Sequence, residues 1–112
     1  HRGEWKQALS GFAEMERAGI KANTFAYSAL MTACERGKQS RRALQVFANM
    51  QEAGEAADVV AYTAAISAHA KVGEWRGAQR LLQEMKAQNV QPNTKTYNAF
   101  IAACAGESLP MF

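Results

Sequence analysis

A period of 35 residues runs through this sequence and limits its possible folds more than any other feature. Residues of the same type or similar size recur at that interval in several columns: Tyr27, Tyr62 and Tyr97; Ala29, Ala64 and Ala99; Phe12, Phe47 and Leu82; Met15, Met50 and Met85. A fixed period of this length is typical of solenoids, in which each repeat buries its apolar face by packing on its neighbours. The sequence therefore predicts a tandem array of one small structural unit, with the column of tyrosines packed in its core.

Each period contains two segments with the spacing of an amphipathic helix. Trp5, Phe12 and Met15, for example, fall on one helical stripe, and the alternation typical of strands is absent. Gly19 and Gly54 end two of the helices, and Gly37 is expected to end the helix that starts at Thr24. Asn89 takes the place of Gly19 and Gly54 in the next repeat, since asparagine also tolerates the left-handed backbone. Six helices are predicted, near residues 3–18, 24–36, 40–53, 59–71, 74–88 and 94–105.

These helices predict an all-α fold, a right-handed α-solenoid of antiparallel helical hairpins. Residues 1–23 are the second half of a repeat, 24–58 and 59–93 are complete repeats, and 94–112 begin a further repeat and its tail. The sequence starts with His1 in the middle of a repeat and shows no signal or transit peptide. We therefore expect it to be an internal piece of a longer protein.

The composition is that of an ordinary folded protein, with 48% hydrophobic and 21% charged residues. A net charge of +3 permits a polyanionic partner without requiring one. No apolar run is long enough to span a membrane. The sequence has two cysteines, Cys34 and Cys104, and neither has a closely spaced partner. This is not the pattern of a disulfide framework, and it favours a reducing compartment.

No group of residues predicts catalysis, a metal site or a cofactor. Cys34, His69 and Cys104 share one column of the repeat, but equivalent helices pack about 8–10 Å apart. Zinc needs four ligands, with sulfur about 2.3 Å from the metal. These three residues are therefore predicted to be packed side chains. Because no catalytic group of residues is found either, the protein is predicted not to be an enzyme and to have no small-molecule substrate.

Three stretches resemble pentatricopeptide repeats of the 35-residue P type: Val60-Ala-Tyr-Thr-Ala-Ala-Ile-Ser-Ala, Thr96-Tyr-Asn-Ala-Phe-Ile-Ala-Ala-Cys and Leu82-Gln-Glu-Met-Lys-Ala-Gln-Asn-Val-Gln-Pro-Asn. The resemblance spans residues 3–105, whereas the 34-residue tetratricopeptide pattern with its Trp-x2-Leu-Gly-x2-Tyr opening is absent. It implies binding of single-stranded RNA, one base per repeat, in a chloroplast or mitochondrion. The implied role is in RNA processing, stability or translation.

The same resemblance implies which residues contact RNA. The residues that read bases follow the first-helix tyrosines or close each repeat: Ser28, Thr63 and Asn98 in the first group, Asn23, Asp58 and Asn93 in the second. Phe25 and Val60 match the residues that wedge between adjacent bases, whereas Lys95 departs from that pattern. Arg36 and Lys71 match the family's phosphate contact, which Gly106 replaces in the last repeat.

The chemistry of two of these side chains indicates which bases they suit. Ionised Asp58 only accepts hydrogen bonds and suits guanine, which presents donors, whereas Asn93 both donates and accepts and suits adenine. The simpler interpretation is that Asn23, Asp58 and Asn93 are N-caps of the following helices. Ser28 and Thr63 are then exposed polar positions, and basic residues in a last helical turn favour the helix dipole wherever they occur.

An alternative function also fits the sequence. Stacked helical hairpins hold proteins as readily as RNA, and the low net charge favours this possibility. The protein would then be a scaffold subunit that contacts other protein subunits of a large organellar assembly.

Overall fold

The computed structural model describes residues 4–106 and contains six α-helices and no strand over that range. The helices are α1 (Glu4–Arg17), α2 (Thr24–Arg36), α3 (Ser40–Glu52), α4 (Val59–Lys71), α5 (Trp75–Ala87) and α6 (Thr94–Gly106). Every predicted helix is present with each end within one residue of its predicted position. Residues 107–112, the tail of the last predicted unit, lie outside the described residues.

The helices pair as an all-α solenoid, which confirms the predicted fold class. α2 packs on α3 and α4 packs on α5, and each pair is a hairpin. The first helices α2, α4 and α6 form a continuous row, which we call the first-helix row. α3 and α5 each pack on their own first helix and on the next one, α1 packs on α2, and α3 and α5 do not contact each other.

The turns between hairpins repeat one backbone pattern. Gly19, Gly54 and Asn89 have positive φ angles of 79°, 82° and 62°, as their places in the sequence predicted. After each of them, the next amide donates to the carbonyl of one column of methionines, for example from Val90 to Met85 at 2.9 Å. These bonds satisfy carbonyls at the end of each second helix and set the direction of the following segment.

In the turn inside the first hairpin, the glycine Gly37 does not have the left-handed backbone. α2 ends at Arg36 before Gly37, as predicted, but the residue with the left-handed backbone is Lys38, with φ 61°. Gly73 occupies the equivalent position in the next repeat, with φ 76°. Gly37 is buried because the Trp5 ring lies against its Cα, where a side chain would overlap the ring. Gly37 therefore permits a close contact between α1 and the turn.

The core follows the repeating columns. Met31, Met50 and Met85 are completely buried. The Tyr62 ring packs on Phe47 with their centroids 5.7 Å apart, and Tyr27 packs on Phe12 in the same way.

Tyr97 was predicted to be a third member of this core, and that prediction is wrong. The side chain is 41% exposed. Leu82 replaces the phenylalanine on which its ring would pack, and no second helix of its own repeat lies within residues 4–106. The Lys86 ammonium group lies 5.8 Å from the Tyr97 ring centroid instead.

Candidate nucleic-acid interface

Two grooves lie along the first-helix row, and they contain the two predicted reading pairs. The first groove holds Ser28 and Asp58, and the second groove holds Thr63 and Asn93. Other residues of predicted function line the same surfaces: Phe25, Arg36 and Val60 in the first groove, and Arg36, Val60 and Lys95 in the second. The fold thus brings together residues that lie 30 positions apart in the sequence.

In the first groove the two reading residues contact each other directly. The Ser28 hydroxyl donates to Asp58 Oδ1 at 2.9 Å, and Ser28 is only 3% exposed. The same oxygen accepts the Ala61 amide at 2.9 Å, so Asp58 is also the N-cap of α4. Asp58 Oδ2 makes no hydrogen bond to any residue between 4 and 106. Hydrogen bonds therefore hold the two side chains in place, and one oxygen of the Asp58 carboxylate takes no part in them.

In the second groove a third residue connects the reading pair. Thr63 Oγ1 lies 2.8 Å from Thr96 Oγ1, and the Thr96 hydroxyl donates to Asn93 Oδ1 at 3.0 Å. The Thr96 amide donates to the same Asn93 oxygen, also at 3.0 Å. Sequence reasoning missed Thr96, which is completely buried. Its hydroxyl was the available signal, because Ala61 holds the equivalent position one repeat earlier.

The predicted stacking residues lie at the edges of the grooves. Phe25 is 77% exposed and lines the first groove, and Val60 is 48% exposed and lies between the two grooves. Lys95, which departs from the apolar pattern, is exposed on the far side of the second groove. At the predicted stacking positions, the first groove thus has two apolar side chains, and the second has one apolar side chain and one lysine.

The two predicted phosphate contacts differ in their surroundings. Arg36 is exposed and makes no ion pair within the described range. Lys71 Nζ lies 3.3 Å from Glu35 Oε1, and the Glu35 side chain is only 11% exposed. The same carboxylate accepts hydrogen bonds from the hydroxyls of Ser67 at 2.9 Å and Ser40 at 3.3 Å. Glu35, which sequence reasoning also missed, therefore offsets the charge of Lys71.

More cations lie beside this ion pair, at the turn that follows α2. Lys38, Arg41 and Arg42 line one depression together with Lys71. Arg41 lies 3.8 Å from a carboxylate oxygen of Glu74, and the Arg42 guanidinium lies 5.0 Å from the Trp5 ring centroid. The surface around the C-terminal ends of α2 and α4 therefore carries more positive than negative charge.

The two remaining predicted base-reading residues have no reading partner within residues 4–106. Asn23 Oδ1 accepts the Ala26 amide at 3.0 Å and caps α2. Asn98 is exposed on α6. Both assignments stay predictions.

The cysteine–histidine column is built as packing. Cys34 is completely buried, and this burial raises the pKa of its thiol above the usual range. His69 Nδ1 lies 3.1 Å from a carboxylate oxygen of Glu74, and Cys104 is half-buried. Among residues 4–106 no three histidine, cysteine or acidic side chains are grouped to hold a metal ion. None of the six helices is long and apolar enough to cross a membrane.

Comparison with protein families matches two consecutive parts of the chain. Residues 57–106 match the PPR repeat family, and residues 11–56 match the pentatricopeptide repeat domain. The chain belongs to the pentatricopeptide repeat family. No curated protein shows significant similarity to this pentatricopeptide repeat sequence.

Solved structures of the same family share its fold. Two are crystal structures of the pentatricopeptide repeat protein PPR10 in complex with an 18-nt psaJ RNA element, one of them with three cysteines replaced by serine. Each matches 96% of this chain with a TM-score of 0.79 and 21% sequence identity. This pentatricopeptide repeat chain spans 17% of the length of each PPR10 chain. At that identity the similarity establishes the fold.

Proposed function

We propose that the protein binds single-stranded RNA along the first-helix row, with one base in each groove. The observation that carries this proposal is the pairing of polar side chains in two successive grooves: Ser28 with Asp58, and Thr63 with Asn93. Sequence-specific proteins recognise single-stranded RNA by hydrogen bonds to the base edges and by stacking on exposed side chains. Membership of the family, and the RNA bound to PPR10, support the proposal.

The first groove suits guanine. The Ser28 proton points to Asp58, so both side chains present acceptor lone pairs to a ligand. The Watson–Crick edge of guanine carries adjacent N–H donors on N1 and N2, which match two acceptors. The carboxylate makes the stronger, charge-assisted bond.

The second groove suits adenine, because the Asn93 amide can donate to an unprotonated ring nitrogen. In this family the N-terminal repeat takes the 5′ base, which implies the order 5′-G-A-3′ across the two grooves. Phe25 and Val60 lie where they would stack on the bases. Arg36 would contact phosphate.

The cellular role we propose is the family's role in organelles. The protein would act on RNA of a chloroplast or mitochondrion, in processing, stability or translation. It would do so by binding, since the grooves are lined by hydrogen-bonding and apolar side chains.

The test is the Asp58→Asn variant. An amide in place of the carboxylate should move the preferred base in the first groove from guanine towards adenine, by roughly 1–3 kcal/mol on the scale of base contacts in DNA. Binding is measured for parent and variant with single-stranded RNAs that differ only at that base. The preference in the second groove should not change.

The matched control is Asn23→Ala, which removes a helix cap that lies outside both complete reading pairs. It should cost about 1 kcal/mol of stability and leave the guanine preference of the first groove unchanged, because Asn23 is predicted to read the base of the preceding repeat. If Asp58→Asn also loses stability but keeps the guanine preference, Asp58 is only the cap of α4.

The scaffold alternative rests on two observations. Lys71 is paired with Glu35, and Phe25 and Val60 present apolar surface to solvent. Both features suit a protein partner in an organellar complex as well as they suit RNA. A protein that shows no salt-dependent RNA binding would favour this function.

A further inference from the structure

Thr96 is a completely buried polar residue, and it contacts both side chains of the second reading pair. Its hydroxyl oxygen lies 2.8 Å from Thr63 Oγ1 and 3.0 Å from Asn93 Oδ1, and it accepts the Asn93 backbone amide at 3.2 Å. No other residue between 4 and 106 hydrogen-bonds both members of a reading pair through its side chain. The first groove has Ala61 in this place.

The positions of the hydroxyl protons follow from these distances. Asn93 Oδ1 is an acceptor, so the single proton of the Thr96 hydroxyl must lie between the two oxygens, because two lone pairs at 3.0 Å would repel each other. Thr96 then has no proton for Thr63. The Thr63 hydroxyl is therefore the donor in the 2.8 Å contact.

These proton positions fix which groups in the second groove donate hydrogen bonds and which accept them. Thr63 directs its proton inwards and offers lone pairs to the groove. Asn93 uses its oxygen for the hydroxyl and the amide of Thr96, and offers its NH2 group to the groove. The second groove therefore presents one acceptor beside one donor.

Two of the four bases match that arrangement when the ring nitrogen faces Asn93 and the neighbouring exocyclic group faces Thr63; guanine and uracil match it only if they shift so that the ring N–H faces Thr63 and a carbonyl oxygen faces Asn93. Adenine and cytosine each carry an amino group beside an unprotonated ring nitrogen, so the amino group donates to Thr63 and the ring nitrogen accepts from Asn93. Guanine and uracil carry a hydrogen on the corresponding ring nitrogen, which would face the Asn93 NH2 group donor to donor. Each mismatch leaves a polar group without a partner.

We propose that Thr96 is a positioning residue that sets the hydrogen-bond polarity of Thr63 and Asn93, and that the base lies with its ring nitrogen at Asn93, so that the second groove favours adenine and cytosine over guanine and uracil. This inference rests on the proposed RNA-binding function. It also explains why the first groove works with Ala61, since both oxygens of Asp58 are acceptors whichever way the carboxylate turns.

The test compares Thr96→Val with Thr96→Ser in the full chain. The probes are four single-stranded RNAs in which guanine is followed by each of the four bases in a constant flanking sequence. Thr96→Val removes the hydroxyl, so Thr63 is free to turn its proton into the groove and Asn93 loses one of the two bonds that hold its oxygen. The preference for adenine and cytosine over guanine and uracil should fall about three- to tenfold, the size of one net hydrogen bond.

Thr96→Ser keeps the hydroxyl and should keep the parent preference. An internal control comes from varying the guanine instead, because selectivity in the first groove should be the same in all three proteins. Alanine occupies this position in the two preceding repeats, so Thr96→Ala serves as a further variant without the hydroxyl if valine disturbs the packing.

Two outcomes would overturn the inference, and they are distinguishable. If the parent selects bases in the second groove and the valine and alanine variants select them equally well, Thr96 does not set polarity, while the proposed function stands. If the parent binds none of the four RNAs in a salt-dependent manner, the proposed function fails and this inference fails with it.

Discussion

At the scale of single residues, one carboxylate serves two helices. Asp58 Oδ1 accepts the Ala61 amide at the start of α4 and the Ser28 hydroxyl from α2, both at 2.9 Å. A cap of this kind is worth about 1 kcal/mol. The second oxygen is not used by either bond, so capping and ligand contact are compatible on one side chain.

A buried tyrosine makes a prediction about pH. Burial, and then the nearby Glu84 carboxylate, which accepts a hydrogen bond from the Tyr62 hydroxyl at 3.2 Å, together raise the pKa of Tyr62 from the ordinary value near 10 to about 12. Between these two pH values the unfolded chain has released the proton and the folded chain has kept it. Stability should therefore be constant with respect to this group below about pH 9 and fall on the order of 1–2 kcal/mol as the pH rises towards 12.

Thermal unfolding at about pH 8 and about pH 11, followed by circular dichroism, measures this effect. Tyr62→Phe should lose less stability between the two pH values than the parent does. Tyr97→Phe, which alters an exposed tyrosine, should lose as much as the parent. Equal losses in all three proteins would contradict the role of Tyr62.

Sequence reasoning predicted groove residues that recur along the chain, and it missed Thr96 and Glu35, whose contacts do not recur. Asp58 was predictable because it stands before a helix at a fixed interval from the tyrosines. Thr96 and Glu35 act through contacts with residues 33 and 36 positions away along the chain. Ala61 and Ala70 occupy the equivalent places in the neighbouring repeats, so only a departure from the repeating pattern, and not the pattern itself, could have indicated these contacts.

At the scale of the helices, the elements depend on one another. Five of the six contain 13 residues, and helices of this length are marginal in water by themselves. Their stability comes from the columns of buried residues at their interfaces. Helix bounds were predictable from local signals, such as the caps Asn23 and Asp58 and the left-handed Gly19 and Gly54. The contact of Trp5 with Gly37 was not, because it joins separate elements.

Phe47→Ala tests the interfaces between helices. Phe47 is buried on α3 and packs on Tyr62 of the next hairpin, so the truncation should cost about 3–5 kcal/mol. Chemical denaturation followed by circular dichroism gives the free energy of unfolding. The matched control is Phe25→Ala, the same change at a side chain that is 77% exposed, which should alter stability by no more than about 0.5 kcal/mol. A Phe47→Ala protein that unfolds like the parent would show that this register of the core is wrong.

At the scale of the whole molecule, the salt dependence of RNA binding reports how many phosphates are contacted. Arg36→Gln should weaken binding to all RNA sequences alike and lower the slope of log affinity against log salt by about 0.7. Lys71→Gln should have a smaller effect, because Glu35 already offsets the charge of that lysine. Glu35→Gln keeps an acceptor for the Ser67 hydroxyl and frees Lys71, and should therefore steepen the slope.

Arg80→Gln, at an exposed position on α5, is the control for a general loss of positive charge. It should change the slope less than Arg36→Gln does. A change confined to one RNA sequence would argue against phosphate contact by Arg36.

Within residues 4–106 every contact between helices lies inside one hairpin or joins it to the next, in a body 54 Å long and 32 by 21 Å across. Small rotations between neighbouring hairpins therefore add up along the molecule, and each interface can stay packed while they do so. A compact globule of equal mass has no such freedom, because lengthening it separates contacts throughout its core. Small rotations at the interface between the hairpins can therefore change the distance between the two grooves. The protein can lengthen to fit a polymer that lies across both of them.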